Sequence, residues 1–508
     1  MNLCHIWIMK GFIVDEEKLS IKSLLKIIEE LREENSVLRE ENSALRSALL
    51  ERDAIIGDLN KRITQLEERL KRNSQNSNQP PSTDQYERKN KPKSERQKSG
   101  KKPGGQPGHR GFTIQPTQNP DTVINYSVSQ CELCRHDLSD VQVTEYFSRQ
   151  ECDIPLIRPR IIEHRMVSKI CPKCKFINKA NGPEYLKQPI QYGPRVSAFA
   201  TYLHYDQLLP LQRIQRLFSD LFSLPLSEGT LVNIHEKFCT QLRDSEAKIR
   251  ENLLTSCVNN CDETSVYING KTQWLHVVSN DTDTSYFIHK KRGSEAMDAM
   301  NILPQYNGVI VHDHWKPYFI YNNMKHSLCN AHHIRELRGI HESYYQQWAQ
   351  EMRQLLLDIN RTVDEYKDAG KSKLPTEILT HLSEKYDAIL NSAQSQIPGV
   401  KISSNGSKKR GRIKQHPAKN LLDRLTKQKQ ETLRFMYDFN IPFTNNQAER
   451  DVRMAKLKQK VSGCFRSQEG AGRFCRIRGY ISTSRKRGIN ILQSLENAIR
   501  GQPKLLIS

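Results

Sequence analysis

Apolar residues recur at three- and four-residue steps from residue 15 to residue 75. Ile21, Ile28, Asn35, Asn42, Leu49, Ile56, Ile63 and Leu70 lie seven apart on one seam. Leu24, Leu31, Leu38, Leu45, Leu59 and Leu66 form the other, broken by Arg52, with Glu and Arg on the flanks. This pattern predicts a coiled coil over 15–75. Two asparagines on the first seam favour a two-stranded parallel form, so the chain is expected to be a homodimer or larger. The alternative is a single helix packed on the protein's own body, which the polar outer faces disfavour.

The periodicity stops at "NSQNSNQPPS". Residues 76–120 follow as a basic linker or arm, whose stretch 87–112 is rich in Lys, Gly and Pro and cannot bury a core. Lys101, Lys102 and Arg110 are candidate phosphate contacts there, since each neutralised phosphate releases counterions. Over 121–185, β-rich segments separate Cys131-x-x-Cys134 from Cys171-x-x-Cys174. Two such knuckles predict one structural Zn²⁺ held by all four thiolates, against the simpler reading of reduced thiol pairs. Cys152 has no partner at that spacing. Residues 186–250 return to helical periodicity, and a short helix, a turn and a helix from Ser227 resemble a helix-turn-helix, although any small bundle looks alike.

From residue 251 the period switches to two. "CVNNCDETSVYI", "TQWLHVVS" and "TSYFIHK" read as three strands, "GSEAMDAM" as a helix, "GVIVHD" and "HSLCN" as further strands, and "AHHIRELRGI" as the start of a helix. That order is the order of a ribonuclease-H-like core, with the first strand central and the fourth beside it. Its region is 251–495, with a mostly helical insertion at about 335–440 that includes the basic "SSNGSKKRGRIKQHP". The fold class expected is therefore multidomain α/β: a ribonuclease-H-like catalytic core with a helical insertion, preceded by a coiled coil, a zinc-binding module and a helical DNA-binding region.

Charge narrows the partners. The 508 residues carry a formal net charge of +21, which points to a polyanion, most often nucleic acid. No stretch approaches a membrane span, and the opening "MNLCHIWIMKGFIVDEE" lacks the marks of a signal peptide. A cytoplasmic protein is expected, with its twelve cysteines as metal ligands or buried thiols.

Three acids then acquire a role. Asp262 lies on the first strand, Asp313 ends the fourth, and Glu449 stands near the start of a helix in "FTNNQAERDVRMAKLKQK". Carboxylates so placed suit two Mg²⁺ (or Mn²⁺) ions about 4 Å apart, one activating the attacking oxygen and one steadying the leaving oxygen. Each acid has a plainer reading. Asp262 could end a strand while Glu263, on the opposite face, serves as the ligand; His312 or His314 could bind zinc beside Asp313; Glu449 could close a capping box on Asn446. Glu449, Arg453, Lys456 and Lys460 share one helical stripe, so these cations, with Arg450, are candidate DNA contacts.

"CDET", "VHDHWKPY", "CNAHHIREL" and "TNNQAERDVRMAK" resemble the DDE transposases of the insertion sequence 66 family, and the likeness extends to "NSNQPPS", "KKPGGQPGHRG" and the knuckles. It implies that Asp262, Asp313 and Glu449 are the metal-binding triad. Many members carry Cys-Trp-Ala-His and Asp-Gly-Tyr, where this chain has Cys329-Asn330-Ala331-His332 and Asp313-His314-Trp315. The expected activity is metal-dependent hydrolysis at insertion-element ends, then transfer of the 3′-hydroxyl into target DNA. Terminal repeats and target duplex are the expected DNA partners, with accessory element-encoded proteins as possible helpers. The competing readings are a non-catalytic zinc-containing DNA-binding regulator and a ribonuclease-H-like nuclease.

Overall fold

A computed structural model describes residues 21–71, 76, 114–396 apart from 156, 184, 185 and 187, and 415–503. Lys101, Lys102 and Arg110 lie outside these residues, as do the first residues of the expected coiled coil and most of the basic segment in the insertion. The described chain divides into two units, one holding α1 and Arg335–Gln350, the other the remainder.

Helix α1, Ile21–Lys71, is continuous over 51 residues. Its apolar seam is open to solvent in the single chain: Leu31, Leu38, Leu45, Ile56 and Leu59 are all exposed. The seam asparagines turn back on their own helix, with Asn35 and Asn42 each donating to the carbonyl four residues earlier at 2.8 Å.

In the second unit the two knuckles adopt the same turn. The Cys131 N–H donates to the His136 carbonyl and the Cys171 N–H to the Phe176 carbonyl, both at 2.9 Å. Arg135 and Lys175, each just after the second cysteine, both take φ 58°, the left-handed conformation that closes the turn. The second knuckle is the loop of a hairpin, β1 (Ser168–Ile170) and β2 (Ile177–Lys179).

Helices α2 (Pro194–Thr201), α3 (Leu211–Phe222), α4 (Glu228–Gln241) and α5 (Arg243–Thr255) follow. A π-helical turn, Tyr202–Asp206, succeeds α2. The hydroxyl of Ser227 accepts the Thr230 N–H at 3.0 Å, so α4 starts where the sequence indicates, capped in the usual way. Ile214 and Phe218 of α3 pack with Leu226 and Leu231 in a small core.

The main core is a five-stranded mixed sheet. Its strands are β3 (Val258–Ile268), β4 (Lys271–Ser279), β5 (Thr284–His289), β6 (Val309–His312) and β7 (Lys325–Leu328), ordered β5-β4-β3-β6-β7. The first three are antiparallel neighbours, while β6 runs parallel to β3 and β7 parallel to β6. The first strand is central with the fourth beside it, as the order of elements along the chain predicts. Helix α6, Ser294–Met300, lies between β5 and β6.

Helices α7 (Asn330–Tyr344), α8 (Gln347–Asp368), α9 (Thr376–Gln396), α10 (Pro417–Lys427) and α11 (Lys429–Tyr437) make up most of the helical stretch that follows. Helix α11 packs on β7, where Arg434 donates to the His326 carbonyl at 2.7 Å. Helix α12, Asn446–Ser462, lies against β3 and β4; α13, Gln468–Lys486, lies against β5; and α14, Ile491–Ile499, packs on α2. The helix α13 approaches β5 closely through Gly479, where a Cβ would sit 3.1 Å from the Thr284 carbonyl. A buried ion pair, Arg478 to Asp206 at 2.8 Å, ties α13 to the π-helical turn. Among the described residues, no helix is long and apolar enough to cross a membrane.

Candidate catalytic and metal-binding site

The parallel register of the central strands sets the first two acids. Asn260 of β3 pairs with Val311 of β6. Two residues further along each strand's path stand Asp262, within β3, and Asp313, just after the end of β6, so the two acids lie side by side where β6 stops beside the central strand. Period-two geometry also sends Asn260 and Asp262 to one side of the sheet. The Asn260 carboxamide there donates to Asn445 at 2.9 Å, immediately before α12. Glu449 sits in the first turn of that helix.

The other acids bear on Asp262. Burial first, then the charges of Glu263 and Asp313, and more weakly Glu449, push the Asp262 carboxyl well above the usual carboxylate range. Asp313 accepts the N–H of Trp315 at 2.9 Å, which fixes the loop after β6. The three acids do not, however, bring three ligand atoms within 4.8 Å of one another. Among the described residues, the group that does so is Cys329, His332 and Glu449. The four knuckle cysteines form no such group either. Within each knuckle, backbone N–H groups of the turn hold the first thiol, Cys131 or Cys171, below its ordinary value, which favours the thiolate that a metal takes.

The capping box expected on Asn446 is not formed. The helix starts one residue earlier, with Asn445 as the residue before its first turn and no side-chain cap. Asn445 instead donates its side-chain amide to the Cys261 carbonyl at 2.6 Å, and its own N–H to the Cys329 sulfur at 3.1 Å. With Asn445 before the first turn, the third helical residue is Ala448, and Glu449 stands one position past the place a capping box needs.

Glu263 is not a solvent-facing neighbour of the site. Its side chain accepts two bonds from Arg292, at 3.0 and 2.7 Å, and one from the Tyr318 hydroxyl at 2.5 Å. The guanidinium lies between two indoles, 4.8 Å from the Trp274 ring and 4.2 Å from the Trp315 ring. One cluster therefore braces β3, β4 and the loop that carries Asp313. Nothing but pairing on the opposite face is readable at Glu263 from the sequence, because the residues that cover that face are distant along the chain.

The histidines near Asp313 are engaged with each other. His312 contacts His326 at 3.0 Å, and burial, followed by the charge of His326, pushes His312 down to about 3. His314 contacts His333 at 3.2 Å and Gln428 at 3.0 Å.

The basic stripe of α12 divides. Arg453 and Lys460 are exposed. Arg450 is exposed and bonds Gln447 at 2.6 Å. Lys456 differs from expectation: it turns onto β3, donating to the Ser265 carbonyl at 2.6 Å and hydroxyl at 3.0 Å, because its long stem reaches back to the strand under the helix.

With this geometry in place, comparison with known proteins supplies the class and then the family. A family model described as transposase IS66 family matches residues 189–473, a span that contains the sheet, Asp262, Asp313, Glu449, Cys329 and His332. More than half of the chain is matched, and the chain belongs to that transposase family. A second model, described as a family of unknown function (DUF6444), matches residues 22–114. No curated protein matches the chain.

Proposed function

We propose that this transposase is a metal-dependent DNA-cutting and DNA-joining enzyme of the DDE type, with a ribonuclease-H-like core and with Asp262, Asp313 and Glu449 as its catalytic carboxylates. The observation that carries this reading is the placement of the three acids: Asp262 on the central strand β3, Asp313 just after the parallel neighbour β6, and Glu449 in the first turn of the helix that packs on β3, near enough for the charges of Asp313 and Glu449 to bear on Asp262. Like charges in such a position are relieved by divalent cations, which suits Mg²⁺ or Mn²⁺ bound through oxygen. The strand order β5-β4-β3-β6-β7 supports the ribonuclease-H-like core.

Two such ions, when bound, would activate the attacking oxygen and stabilise the leaving one at the scissile phosphate. The chain's own residues do the positioning. Asp262 on β3 and Asp313 just after β6 stand on neighbouring segments, and Asn445 holds the start of α12 against β3, which brings Glu449 towards them. Arg453 and Lys460, exposed on α12, grip phosphates without reading bases. Hydrolysis at the element end frees a 3′-hydroxyl, and that hydroxyl attacks a target phosphodiester in a direct transesterification.

The remaining modules are assigned to assembly and DNA recognition. The exposed apolar seam of α1 supports pairing of two chains through a parallel coiled coil. The two matched knuckle turns support a structural Zn²⁺ on Cys131, Cys134, Cys171 and Cys174, the four sulfurs being drawn together on binding. The basic arm, the zinc module and α3–α4 serve to bind the terminal repeats and target duplex in the bacterial cytoplasm.

The test is incubation of the full chain with element-end DNA and Mg²⁺, with nicked and joined products resolved on a denaturing gel. Both products are expected. Specific binding without either would favour a regulator, and nicking without joining would favour a nuclease.

A further inference from the structure

We propose that Cys329, His332 and Glu449 form a binding site for a thiophilic divalent cation of the zinc class, where the residue before α7 meets the first turn of α12. The Sγ of Cys329 and the Nδ1 of His332 each lie 3.9 Å from Oε1 of Glu449. All three ligand atoms fall within 4.8 Å of one another. In a tetrahedral zinc site, bonds of about 2.3 Å to sulfur and about 2.1 Å to nitrogen and oxygen give ligand–ligand edges of about 3.4–3.6 Å. The two edges to Glu449 are therefore slightly wide for a bound ion, and the donors draw together as it binds.

The donor set selects the metal class. A thiolate is a poor ligand for Mg²⁺ or Ca²⁺, which take oxygen, whereas sulfur, imidazole and carboxylate together suit zinc. Thiolate and carboxylate balance the two positive charges, and the imidazole binds neutral. Three protein ligands leave a fourth position for water. Along the chain, Cys329 and His332 are three residues apart across the start of α7, which places both donors at the same end of that helix.

Supporting contacts hold the donors before any ion arrives. The Asn445 N–H donates to the Cys329 sulfur at 3.1 Å; that sulfur is a thiol facing the Glu449 carboxylate while no ion is bound, and metal binding releases its proton. The Cys329 N–H donates to the His312 carbonyl at 2.9 Å, and the His332 N–H to the Cys329 carbonyl at 3.1 Å. Cys329 is buried, and His332 and Glu449 are partly exposed, with the Nδ1 of His332 itself buried. An ion seated there joins the start of α7 to α12 and fixes the direction of Glu449. The site shares Glu449 with the proposed triad but requires neither Asp262 nor Asp313, so the two readings fail separately.

The test uses the full-length protein dialysed against Zn²⁺ in the presence of excess Mg²⁺, with bound zinc counted by elemental analysis. The parent should hold one more zinc per chain than either Cys329→Ser or His332→Ala, whatever the knuckles contribute to all three. Replacing Zn²⁺ by Co²⁺ should give thiolate-to-metal charge transfer that is weaker in Cys329→Ser. Cys152→Ser, which alters an exposed thiol, should keep the parent count. Asp262→Asn should keep it too; loss of the extra zinc there would move the ion to the acid cluster and overturn the proposal. If Cys329→Ser melts early by circular dichroism, His332→Ala decides the matter. An unchanged zinc count in His332→Ala would also overturn it.

Discussion

The side-chain amide of Asn445 donates to the main-chain carbonyl of Cys261 at 2.6 Å, so the residue that opens α12 is stitched to the residue before Asp262. Asn445 also accepts from Asn260, and its backbone N–H reaches the Cys329 sulfur. Replacing it with Ala leaves buried partners unsatisfied, which costs about 1–3 kcal/mol. Asn445→Ala should therefore lower the melting temperature and reduce end cleavage, while DNA affinity in a gel-shift assay stays near that of the parent. Cleavage at the parent rate would show that the position of Glu449 does not depend on this stitch.

Arg292 is the second positioning element. Its fork to Glu263 and its place between Trp274 and Trp315 need a planar guanidinium. Arg292→Lys should destabilise the protein by about 1–3 kcal/mol in denaturant melts, because the Glu263 carboxylate is left buried with a poorer partner. Glu263→Gln should also lower cleavage, though less than a triad substitution does.

Asp262 carries a stability prediction with a reversed sign. Burial and the neighbouring acids raise its folded-state value, so the ionised cluster weakens the metal-free fold at neutral pH. Asp262→Asn should raise the metal-free melting temperature, because a neutral amide has no charge to desolvate and none to repel Glu263 and Asp313. In the parent, Mg²⁺ at a hundred times its dissociation constant should add about 2.7 kcal/mol. That gain should shrink sharply in Asp262→Asn. An equal Mg²⁺ response in both proteins would contradict the acid cluster as the metal site.

Buried histidines set an acid limit. Burial, aided for His204 by the charge of Lys458, pushes His204 and His276 down to about 4. Both stay neutral in the fold but take up a proton in the unfolded chain below about 6.5. Their stability contribution is present above that value and is lost as pH falls towards 4, at up to about 1.4 kcal/mol per pH unit for each. The raised carboxyls of Asp262 and Glu263 act in the opposite direction. Burial lowers His235, His312, His326 and His333 in the same way, so the histidines outnumber the raised acids, and melting curves between pH 7 and pH 5 should show falling stability, with a shallower slope in His276→Gln.

Much of the sheet is legible in the sequence because period-two alternation marks each strand and the order of elements restricts the topology. Asp262 and Asp313 can be paired for that reason. The start of α12 is displaced by one residue from its sequence signal, since two adjacent asparagines offer the same cap and only the bond from Asn445 to β3 decides between them. Helical spacing alone assigns Lys456 to DNA, and it cannot reveal that Ser265 lies within reach of its stem. The approach of Cys329 and His332 to Glu449 joins segments 120 residues apart, counting from Cys329. A Cys-x-x-His at a helix start is visible in the sequence, but not its partner. The bracing of Glu263 by Arg292 and Tyr318 is hidden for the same reason.

The central claim is that Glu449 acts as a catalytic carboxylate. Its position in the first turn of α12, a helix that opens without a side-chain cap, makes Glu449→Gln the sharpest probe. Glu469, exposed in the first turn of α13 beside its own Ser467 cap, is the acid to test next if Glu449→Gln still cuts. The decisive measurement compares cleavage with binding on the same element-end DNA in Mg²⁺. The account predicts that Glu449→Gln loses cleavage by at least about a hundredfold, the scale expected when an essential transition-state group is removed. DNA affinity should hold or rise, because one negative charge near phosphate has gone. A Glu449→Gln protein that binds normally and cuts at close to the parent rate would contradict it.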